Sequence, residues 1–316
     1  MESAVRSSVD QDSVADTRSG PSMKIRDILK TTRTVSFEFF PPRTDEGIPS
    51  VFRAIDRLKK YQPDFASVTY GAGGSTQALT EEIVVRIKAE TDLLPMAHLT
   101  CAAQTKEAVH NVLTRLEQAG IENIIALRGD PPAGQENFVP VEGGFAHATD
   151  LIEHIKRNFN FGIAAACYPE AHVESANSQT DMEFTKRKVD TGAEFLITQL
   201  FYNNDDFYAF QERARKAGID VPIIPGIMPI LSTSQIHRIT SLCGASIPPE
   251  LDAQLVSHAD DDKAVREIGV EHATKQVREL WDNGVDGVHF YVLNRSYSVS
   301  KVLQNLGLPD HSGESS

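Results

Sequence analysis

Short apolar segments alternate with segments of helical periodicity along most of this 316-residue chain. The apolar segments hold five to seven residues each and are rich in β-branched and aromatic side chains, which is typical of buried strands. Eight of them occur: Thr34–Phe39, Phe65–Thr69, Pro95–Thr100, Asn123–Arg128, Phe161–Cys167, Glu194–Gln199, Val221–Gly226 and Gly287–Val292.

The segments between these runs have the spacing of amphipathic helices. Val109, Val112, Leu113 and Leu116 fall at i, i+3, i+4 and i+7, and Gly120 follows where a helix would end. Six of the seven intervals between runs are about 30 residues long, which is the length of one βα unit.

The seventh interval, from Gly226 to Gly287, is about twice as long and predicts an extra helix pair. Its acidic run Asp260–Asp262 suits either the amino terminus of a helix or a solvated helix face.

Apolar strands separated by helices predict a parallel sheet that is covered on its faces. Eight units over about 290 residues favour an α/β fold of the (β/α)8 TIM barrel type, with a helical insertion between strands seven and eight. The alternative, an open doubly wound sheet, normally carries a nucleotide fingerprint after its first strand. Here that strand runs into Phe40-Pro41-Pro42, and the chain contains neither GxGxxG nor GxxxxGK[ST].

Composition and charge narrow the class of protein. We expect one barrel over residues 23–308, a disordered tail at 1–22 that is rich in Ser and has no aromatic residue, and a flexible tail at 309–316. The formal charge of −13 argues against nucleic acid and anionic membranes as partners. Three dispersed cysteines and the absence of an apolar run of about 20 residues predict a cytoplasmic protein.

Polar side chains follow every predicted strand, where a barrel places its catalytic groups. They are Glu38, Thr69, Tyr70, His98, Arg128, Asp130, Tyr168, Glu170, His172, Gln199, Gln235, Asn294 and Arg295. This distribution indicates an occupied, polar ligand site. His98 and Cys101 lack a third ligand at a usual spacing, so we expect no metal.

Three features admit both a functional and a structural interpretation. Glu38 stands among Phe37, Phe39 and Phe40, so it is either a poorly solvated general acid with a raised pKa or a carboxylate paired with an Arg. The turn Gly71–Gly74 could approach a phosphate, although glycine turns after strands are common. The run Lys186–Lys188 is by default a solvated helix face. The residues alone therefore predict a barrel enzyme for an anionic organic ligand and leave the reaction open.

At these positions the chain resembles the methylenetetrahydrofolate reductase family, from about Val35 to Leu306. The resemblance rests on short motifs in the same order: Ser36–Pro42, Val68–Ala72, His98–Cys101, Ala126–Asp130, Tyr168–Glu170 with His172, Ile197–Gln199, Pro225–Pro229, and Phe290-Tyr291 with Leu293–Arg295. It implies a barrel that holds FAD and passes hydride from NADH or NADPH through the flavin to methylenetetrahydrofolate, giving 5-methyltetrahydrofolate. It also implies a homo-oligomer, and the choice between NADH and NADPH stays open.

The resemblance also implies roles for particular residues. Glu38 is expected to be the general acid, and Asp130 to lie near both flavin and pterin as a second catalytic residue. Gln199, Gln235 and Arg295 are expected to bind the folate, with Arg295 on its glutamate carboxylate. Further positions are expected to line the FAD site, where the basic run becomes a pyrophosphate clamp: Thr69, Tyr70, Ala72, His98, Arg128, Gly129, Asp130, His147, Tyr168, His172, Asp181, Arg187 and Lys188.

Some positions depart from the bacterial pattern, and two rival functions stay open. His147, Phe184 and Ile239 stand where that pattern has other residues, which puts local cofactor and substrate contacts in doubt. Because the chain ends after the barrel, without the regulatory domain of eukaryotic relatives, we expect no inhibition by S-adenosylmethionine. One rival is a flavin-free barrel such as a methyltetrahydrofolate:corrinoid methyltransferase. The other is a folate-binding barrel without catalysis, which would not need Glu38.

Overall fold

The computed structural model describes residues 24–71, 76–131, 134, 138–285 and 287–311. The strands are β1 Thr34–Phe39, β2 Phe65–Val68, β3 Pro95–Thr100, β4 Asn123–Leu127, β5 Gly162–Cys167, β6 Phe195–Thr198, β7 Ile223–Ile224, β8 Gly226–Ile227 and β9 Gly287–Tyr291. The helices are α1 Ile25–Ile28, α2 Ile48–Leu58, α3 Gln77–Glu90, α4 Lys106–Gln118, α5 Ala148–Asn158, α6 Ser178–Thr191, α7 Asn204–Lys216, α8 Thr233–Cys243, α9 Pro249–Ser257, α10 Asp262–Asp282 and α11 Ser296–Asn305, with short 3-10 helices at Asp45–Gly47 and Lys59–Tyr61.

All strand pairings are parallel, and the strand order is β7-β6-β5-β4-β3-β2-β1-β9-β8. The predicted strand Val221–Gly226 is divided at Pro225 into β7, which pairs with β6, and β8, which pairs with β9. A proline has no N–H to donate to a ladder, so the strand bends there while the Pro225 carbonyl accepts from His289 N at 2.9 Å. The two pieces together form the seventh barrel strand, and the predicted TIM barrel is confirmed.

The alternation of side chains along each strand separates an inner core from an outer shell. On β1, Phe37 and Phe39 point outward into the layer between strands and helices, whereas Ser36 and Glu38 point into the barrel. The inner core is small. Ile25 of α1 covers the end of it where the strands begin, and it is held there because the Ile25 N–H donates to Oδ1 of Asn123, the first residue of β4, at 3.0 Å. It consists of Ile25, Phe65, Met96, Ile125, Ala164, Phe195, Ile197 and Ile224.

Three helices, α8, α9 and α10, occupy the long interval between β8 and β9, so the predicted insertion is confirmed. Asp261 caps α10, because its Oδ1 accepts from Lys263 N at 2.9 Å and Ala264 N at 3.1 Å. The inserted helices pack with residues from the ends of β6 and β8 in a third cluster, which includes Leu200, Tyr202, Met228, Ile236, Leu255 and Val265.

The predicted tail at 1–22 lies outside the described residues. At the other end, Asp310 forms a 2.6 Å ion pair with Lys60, and the His311 N–H donates to the Lys60 carbonyl at 3.0 Å.

None of the described helices has the length and apolarity that crossing a membrane requires.

Candidate active site

Glu38 lies inside the barrel near the carboxyl ends of the strands, between two histidines from other strands. Its Oε2 is 3.2 Å from Nε2 of His98 on β3 and 3.5 Å from Nε2 of His289 on β9. The three side chains are buried, with Glu38 only 6% exposed. A carboxylate thus lies within 3.5 Å of two imidazoles in one buried cluster, which we call the acid pocket.

The acid pocket overturns the prediction of a raised pKa for Glu38. Burial raises the pKa of this carboxyl, but the nearby His98 and His289 outweigh burial and hold the pKa at about 2. The aromatic residues adjacent in sequence do not raise the pKa of Glu38, because Phe37 and Phe39 lie on the opposite face of β1, away from the carboxylate. The structural alternative was also wrong about the partner, which is a pair of histidines and not an Arg.

His289 is a member of the pocket that the sequence analysis missed. Ser36 Oγ donates to the Val288 carbonyl at 3.1 Å, so it accepts from His289 Nδ1 at 2.8 Å. The His289 ring stacks on Phe65 at 5.6 Å, and burial lowers its pKa. This imidazole is therefore fixed in orientation by Ser36 and Phe65.

A second group of predicted residues lies at the ends of β4 and β5 and on α6, and we call it the basic rim. Arg128 makes a bidentate ion pair with Glu174, with distances of 2.6 and 2.7 Å. The rings of Tyr168 and His172 meet edge to face at 4.7 Å. Burial lowers the pKa of His172. Two aromatic rings and a guanidinium are thus assembled on one side of the mouth.

Lys188 completes the basic rim from α6. Its Nζ donates to the Ala166 carbonyl at 2.9 Å and lies 5.6 Å from the centre of the Tyr168 ring. Burial lowers the pKa of this lysine, opposed by the attraction of Asp181. Asp181 is itself buried and accepts from His172 N and Ser175 Oγ, both at 3.3 Å. Asp181 therefore orders the turn that follows β5.

The predicted clamp is divided between different faces of α6. Lys188 faces the strand ends, whereas the Arg187 guanidinium lies over the Phe184 ring at 5.5 Å and lines a groove between α5 and α6. Phe184 in turn stacks with His147 at 6.5 Å, so two of the positions that depart from the bacterial pattern contact each other. Lys186 pairs with Asp190 on the surface.

The remaining predicted cofactor positions differ in how they face the mouth. Tyr70 packs in the outer shell, so its ring is turned away from the barrel interior. Asp130 is exposed and Thr69 is half-buried at the ends of β4 and β2. A Cβ on Gly129, whose φ is +85°, would meet Thr100 Cβ at 2.9 Å, so a side chain has no room there. Ala72 and the rest of the glycine turn from residue 72 onward lie outside the described residues.

The predicted folate residues lie at the ends of β6 and β9 and at the start of α8. Gln199 Oε1 accepts from Leu200 N at 2.9 Å, and Gln235 is half-buried in the first turn of α8. Arg295 is exposed at the start of α11. Asn294 links β9 to the end of β1, because it donates to the Phe40 carbonyl at 2.7 Å and accepts from Phe40 N at 3.0 Å.

Comparison with known proteins decides the family. The profile of the family described as Methylenetetrahydrofolate reductase matches residues 24–307. The chain belongs to the methylenetetrahydrofolate reductase family. It is 42% identical over 301 residues to methylenetetrahydrofolate reductase (NADH) 1 of Arabidopsis thaliana, covering 92% of this chain and 51% of that protein. It is 38% identical over 275 residues to the 5,10-methylenetetrahydrofolate reductase of Escherichia coli, covering 87% of this chain and 90% of that protein.

The chain thus spans about half the length of the plant relatives and nearly all of the bacterial one. A solved structure with 15% identity and a TM-score of 0.62, covering 87% of this chain and 94% of its own, is an uncharacterized protein from Clostridium thermocellum that binds two copies of 5-methyl-5,6,7,8-tetrahydrofolic acid. At that identity the likeness supports the barrel fold alone.

The basic rim of this reductase-family chain fits an anionic dinucleotide such as FAD. Arg128 and Lys188 supply positive charge, and Tyr168 and His172 supply flat rings beside them. The buried hydroxyl of Thr100, beside Gly129, has no hydrogen-bond partner among the described residues, so a donor or acceptor is available there for a ligand. Within the same residues no three His, Cys, Asp or Glu side chains are grouped as a metal ion would require.

Proposed function

We propose that this chain catalyses the reduction of 5,10-methylenetetrahydrofolate to 5-methyltetrahydrofolate, with NADH or NADPH as hydride donor and FAD as cofactor. The observation that carries the proposal is the acid pocket, a carboxylate held inside the barrel mouth by two imidazoles, in a chain of the methylenetetrahydrofolate reductase family. A barrel that only bound folate would have no use for a buried proton donor.

FAD, when bound, supplies the hydride chemistry that no side chain can perform, accepting hydride from the nicotinamide and giving it to the folate. The two substrates then react in turn, in a ping-pong order. Arg128 and Lys188 would hold the negatively charged part of the cofactor, and the Tyr168 and His172 rings would border it. To bind a phosphate, Arg128 would exchange its ion pair with Glu174 for a second pair of the same bidentate type.

The acid pocket would supply the proton that opens the methylene bridge. The bridge nitrogen that leaves carbon must be protonated, and the carbon then carries the iminium that takes up hydride. Because the pKa of Glu38 is held at about 2, its carboxylate would have to take up a proton before it could act as the acid, and Nε2 of His98, 3.2 Å from Glu38 Oε2, is close enough to relay one. A proton relayed along this contact and on to the substrate nitrogen would let the carboxyl act as acid without an intrinsically high pKa.

Asp130, Gln199, Gln235 and Arg295 would orient the folate. The amides of Gln199 and Gln235 can both donate and accept, as the pterin edge requires. Arg295, at the exposed start of α11, is suited to a carboxylate at the outer end of the ligand. We also propose that the protein acts in the cytoplasm as a homo-oligomer, as the family resemblance implies.

The test is the visible absorption spectrum of the purified protein under anaerobic conditions. After loading with FAD, the protein should be yellow, should be bleached by NADH or NADPH, and should regain colour when methylenetetrahydrofolate is added. The nicotinamide that bleaches it faster identifies the donor. A protein that stays colourless after incubation with FAD would contradict the reductase proposal and favour a flavin-free methyltransferase.

A further inference from the structure

Glu170 follows β5, between the rim residues Tyr168 and His172, and takes no part in the proposed chemistry. Its carboxylate reaches the segment between α8 and α9. There the Ser246 N–H lies 3.1 Å from its Oε1 and 3.0 Å from its Oε2, and the Ser246 hydroxyl also donates to Oε2. One carboxylate thus holds both donors of one residue, and we call this contact the Glu170 clasp.

A packing contact lies beside the clasp. Val173, three residues after Glu170, packs on Gly244, the residue at which α8 ends. Gly244 has a φ of +77°, and a Cβ at this position would be 2.6 Å from Val173 Cγ1, so a side chain there would displace Val173. The turn after β5 and the end of α8 are therefore joined at two neighbouring points.

The turn that carries Glu170 is fixed from its other side as well. The Arg213 guanidinium of α7 donates to the Pro169 carbonyl at 3.0 Å, and Asp181 orders the following part of the turn from α6. Ala171 has a φ of +70°, which residues other than Gly adopt rarely and keep only where surrounding contacts hold them. Glu170 therefore projects from a rigid turn.

The helix at the other end of the clasp carries two positions on the folate side. Gln235 lies in the first turn of α8, and Ile239 lies one turn later. The inner face of α8 is anchored by the buried Ile236 in the third cluster. The 11 residues of α8 make it about 16 Å long, so a tether beyond its last residue limits the tilt of the whole helix.

The clasp therefore joins the two sides of the mouth. Tyr168 and His172 flank Glu170 on the cofactor side, and α8 carries Gln235 on the folate side. We propose that Glu170 is a positioning residue for hydride transfer, because by holding Ser246 it fixes α8, and with it Gln235, relative to the flavin. A misplacement of about 1 Å between reacting groups can cost 10²-fold in rate. This inference rests on the proposed function, since it requires flavin and folate in one mouth.

Anaerobic rapid mixing on Glu170→Ala, saturated with FAD, tests the inference. Recolouring of the reduced flavin by methylenetetrahydrofolate should be about tenfold slower than in wild type, as expected for the loss of a charged acceptor. The affinity for FAD and the rate of bleaching by the nicotinamide should stay within about twofold, because Arg213 and Asp181 still hold the turn. Glu170→Gln should recolour within about twofold of wild type, since its amide can accept from the Ser246 N–H and donate to the hydroxyl.

A second background separates positioning from a general structural role. Adding Glu170→Ala to Gln235→Ala should slow recolouring by less than about threefold further, because both changes then remove the same effect. A loss of the full tenfold in both backgrounds would show that Glu170 does not act through Gln235. Glu183→Ala, which removes an exposed carboxylate on α6 outside the clasp, is the control and should recolour like wild type.

Hydrogen exchange at the Ser246 amide reports on the clasp without turnover. In the protein free of FAD, this N–H should exchange about tenfold faster in Glu170→Ala than in wild type. Equal exchange rates, or faster exchange together with recolouring at the wild-type rate, would overturn the inference and leave the reductase standing. Wild-type protein that binds FAD but is not recoloured by the folate would contradict the proposed function, and the positioning role with it.

Discussion

The two halves of the barrel mouth differ in solvation and in charge. The acid pocket on β1, β3 and β9 is nearly dry, and its carboxylate lies between the His98 and His289 imidazoles, the second of which contacts Ser36 and Phe65. The basic rim on β4, β5 and α6 is partly exposed, and its groups already have partners: Glu174 on Arg128 and the Ala166 carbonyl on Lys188. In the acid pocket, burial leaves the protonation of the carboxyl to be set by its neighbours. In the basic rim, partial exposure lets Arg128 and Lys188 leave their present partners and contact a charged ligand.

From this difference we propose that the two halves serve separate tasks. A proton donor works best where water is excluded, because its hydrogen bonds are then stronger and its protonation state is set by neighbours alone. A dinucleotide must enter from solvent, so its charged contacts should be reachable. Variants in the acid pocket should consequently impair folate reduction and spare the nicotinamide step, whereas variants in the basic rim should weaken FAD binding.

The largest effect is expected for Glu38→Gln. The amide keeps the shape of the side chain but cannot transfer a proton, so folate reduction should fall by about 10³-fold, within the usual range for a lost general acid. Nicotinamide oxidation with an artificial acceptor should stay within about twofold of wild type. Turnover assays with each acceptor measure the two. Equal loss of both activities with FAD still bound would contradict the role of Glu38.

The low pKa of Glu38 should also appear in the pH dependence of stability. Because the folded pKa is about 2 and the unfolded one about 4.5, the ionised carboxylate stabilises the fold above pH 4.5, and this contribution is lost as pH falls towards 2. The difference in unfolding free energy between wild type and Glu38→Gln should shrink by about 3 kcal/mol across that window. Urea titrations over a pH series measure it.

The exposed Glu212, which pairs with Lys216, supplies the control. Glu212→Gln should change the pH dependence far less, because solvent screens that pair. A wild-type advantage over Glu38→Gln that stays constant or grows on acidification would show that the histidines do not hold Glu38 ionised.

Arg295→Gln should affect substrate affinity more than chemistry. Loss of a charge-assisted contact to a carboxylate should raise the KM for monoglutamyl folate by about 10- to 100-fold, with flavin reduction by the nicotinamide unchanged. Arg157→Gln, on the exposed surface of α5, is the control and should leave KM unaltered. An unchanged KM in Arg295→Gln would remove Arg295 from the folate site.

Lys188→Gln should weaken FAD binding by about tenfold, the usual effect of losing one hydrogen bond from a charged donor. Lys186→Gln lies two residues away on the same helix, pairs with Asp190 at the surface, and should bind FAD like wild type. Fluorescence titration of the apoprotein with FAD gives both dissociation constants. Similar constants for the two variants would mean that Lys188 does not contact the cofactor.

The sequence predicts the barrel well because its signals are local. Strand runs, helical stripes and the doubled interval before Gly287 each reflect periodicity or length over a few residues, and the structure has the corresponding elements. The division of the seventh strand at Pro225 is partly local too, since Pro within a run weakens a strand assignment. The candidate site residues, in contrast, are predicted by the residue pattern only as a set of strand ends, and their individual roles come from the family resemblance.

The pairing of those residues depends on contacts that sequence order does not contain. His289 belongs to an apolar run near the end of the chain and reaches Glu38 only because β9 closes the ring beside β1. For the same reason the pKa of Glu38 is set by residues distant in sequence and not by Phe37 or Phe39. The adjacent Arg187 and Lys188 face different surroundings, because successive residues on a helix point about 100° apart.

The most direct test of the division of the mouth is rapid-mixing absorption spectroscopy on Glu38→Gln and Lys188→Gln, each saturated with FAD under anaerobic conditions. The account predicts that Glu38→Gln is bleached by the nicotinamide at the wild-type rate but is recoloured by methylenetetrahydrofolate about 10³-fold more slowly. Lys188→Gln, once saturated, should show normal recolouring. Slow bleaching in Glu38→Gln together with normal recolouring would contradict the account, because the acid pocket would then serve the nicotinamide step and not the folate step.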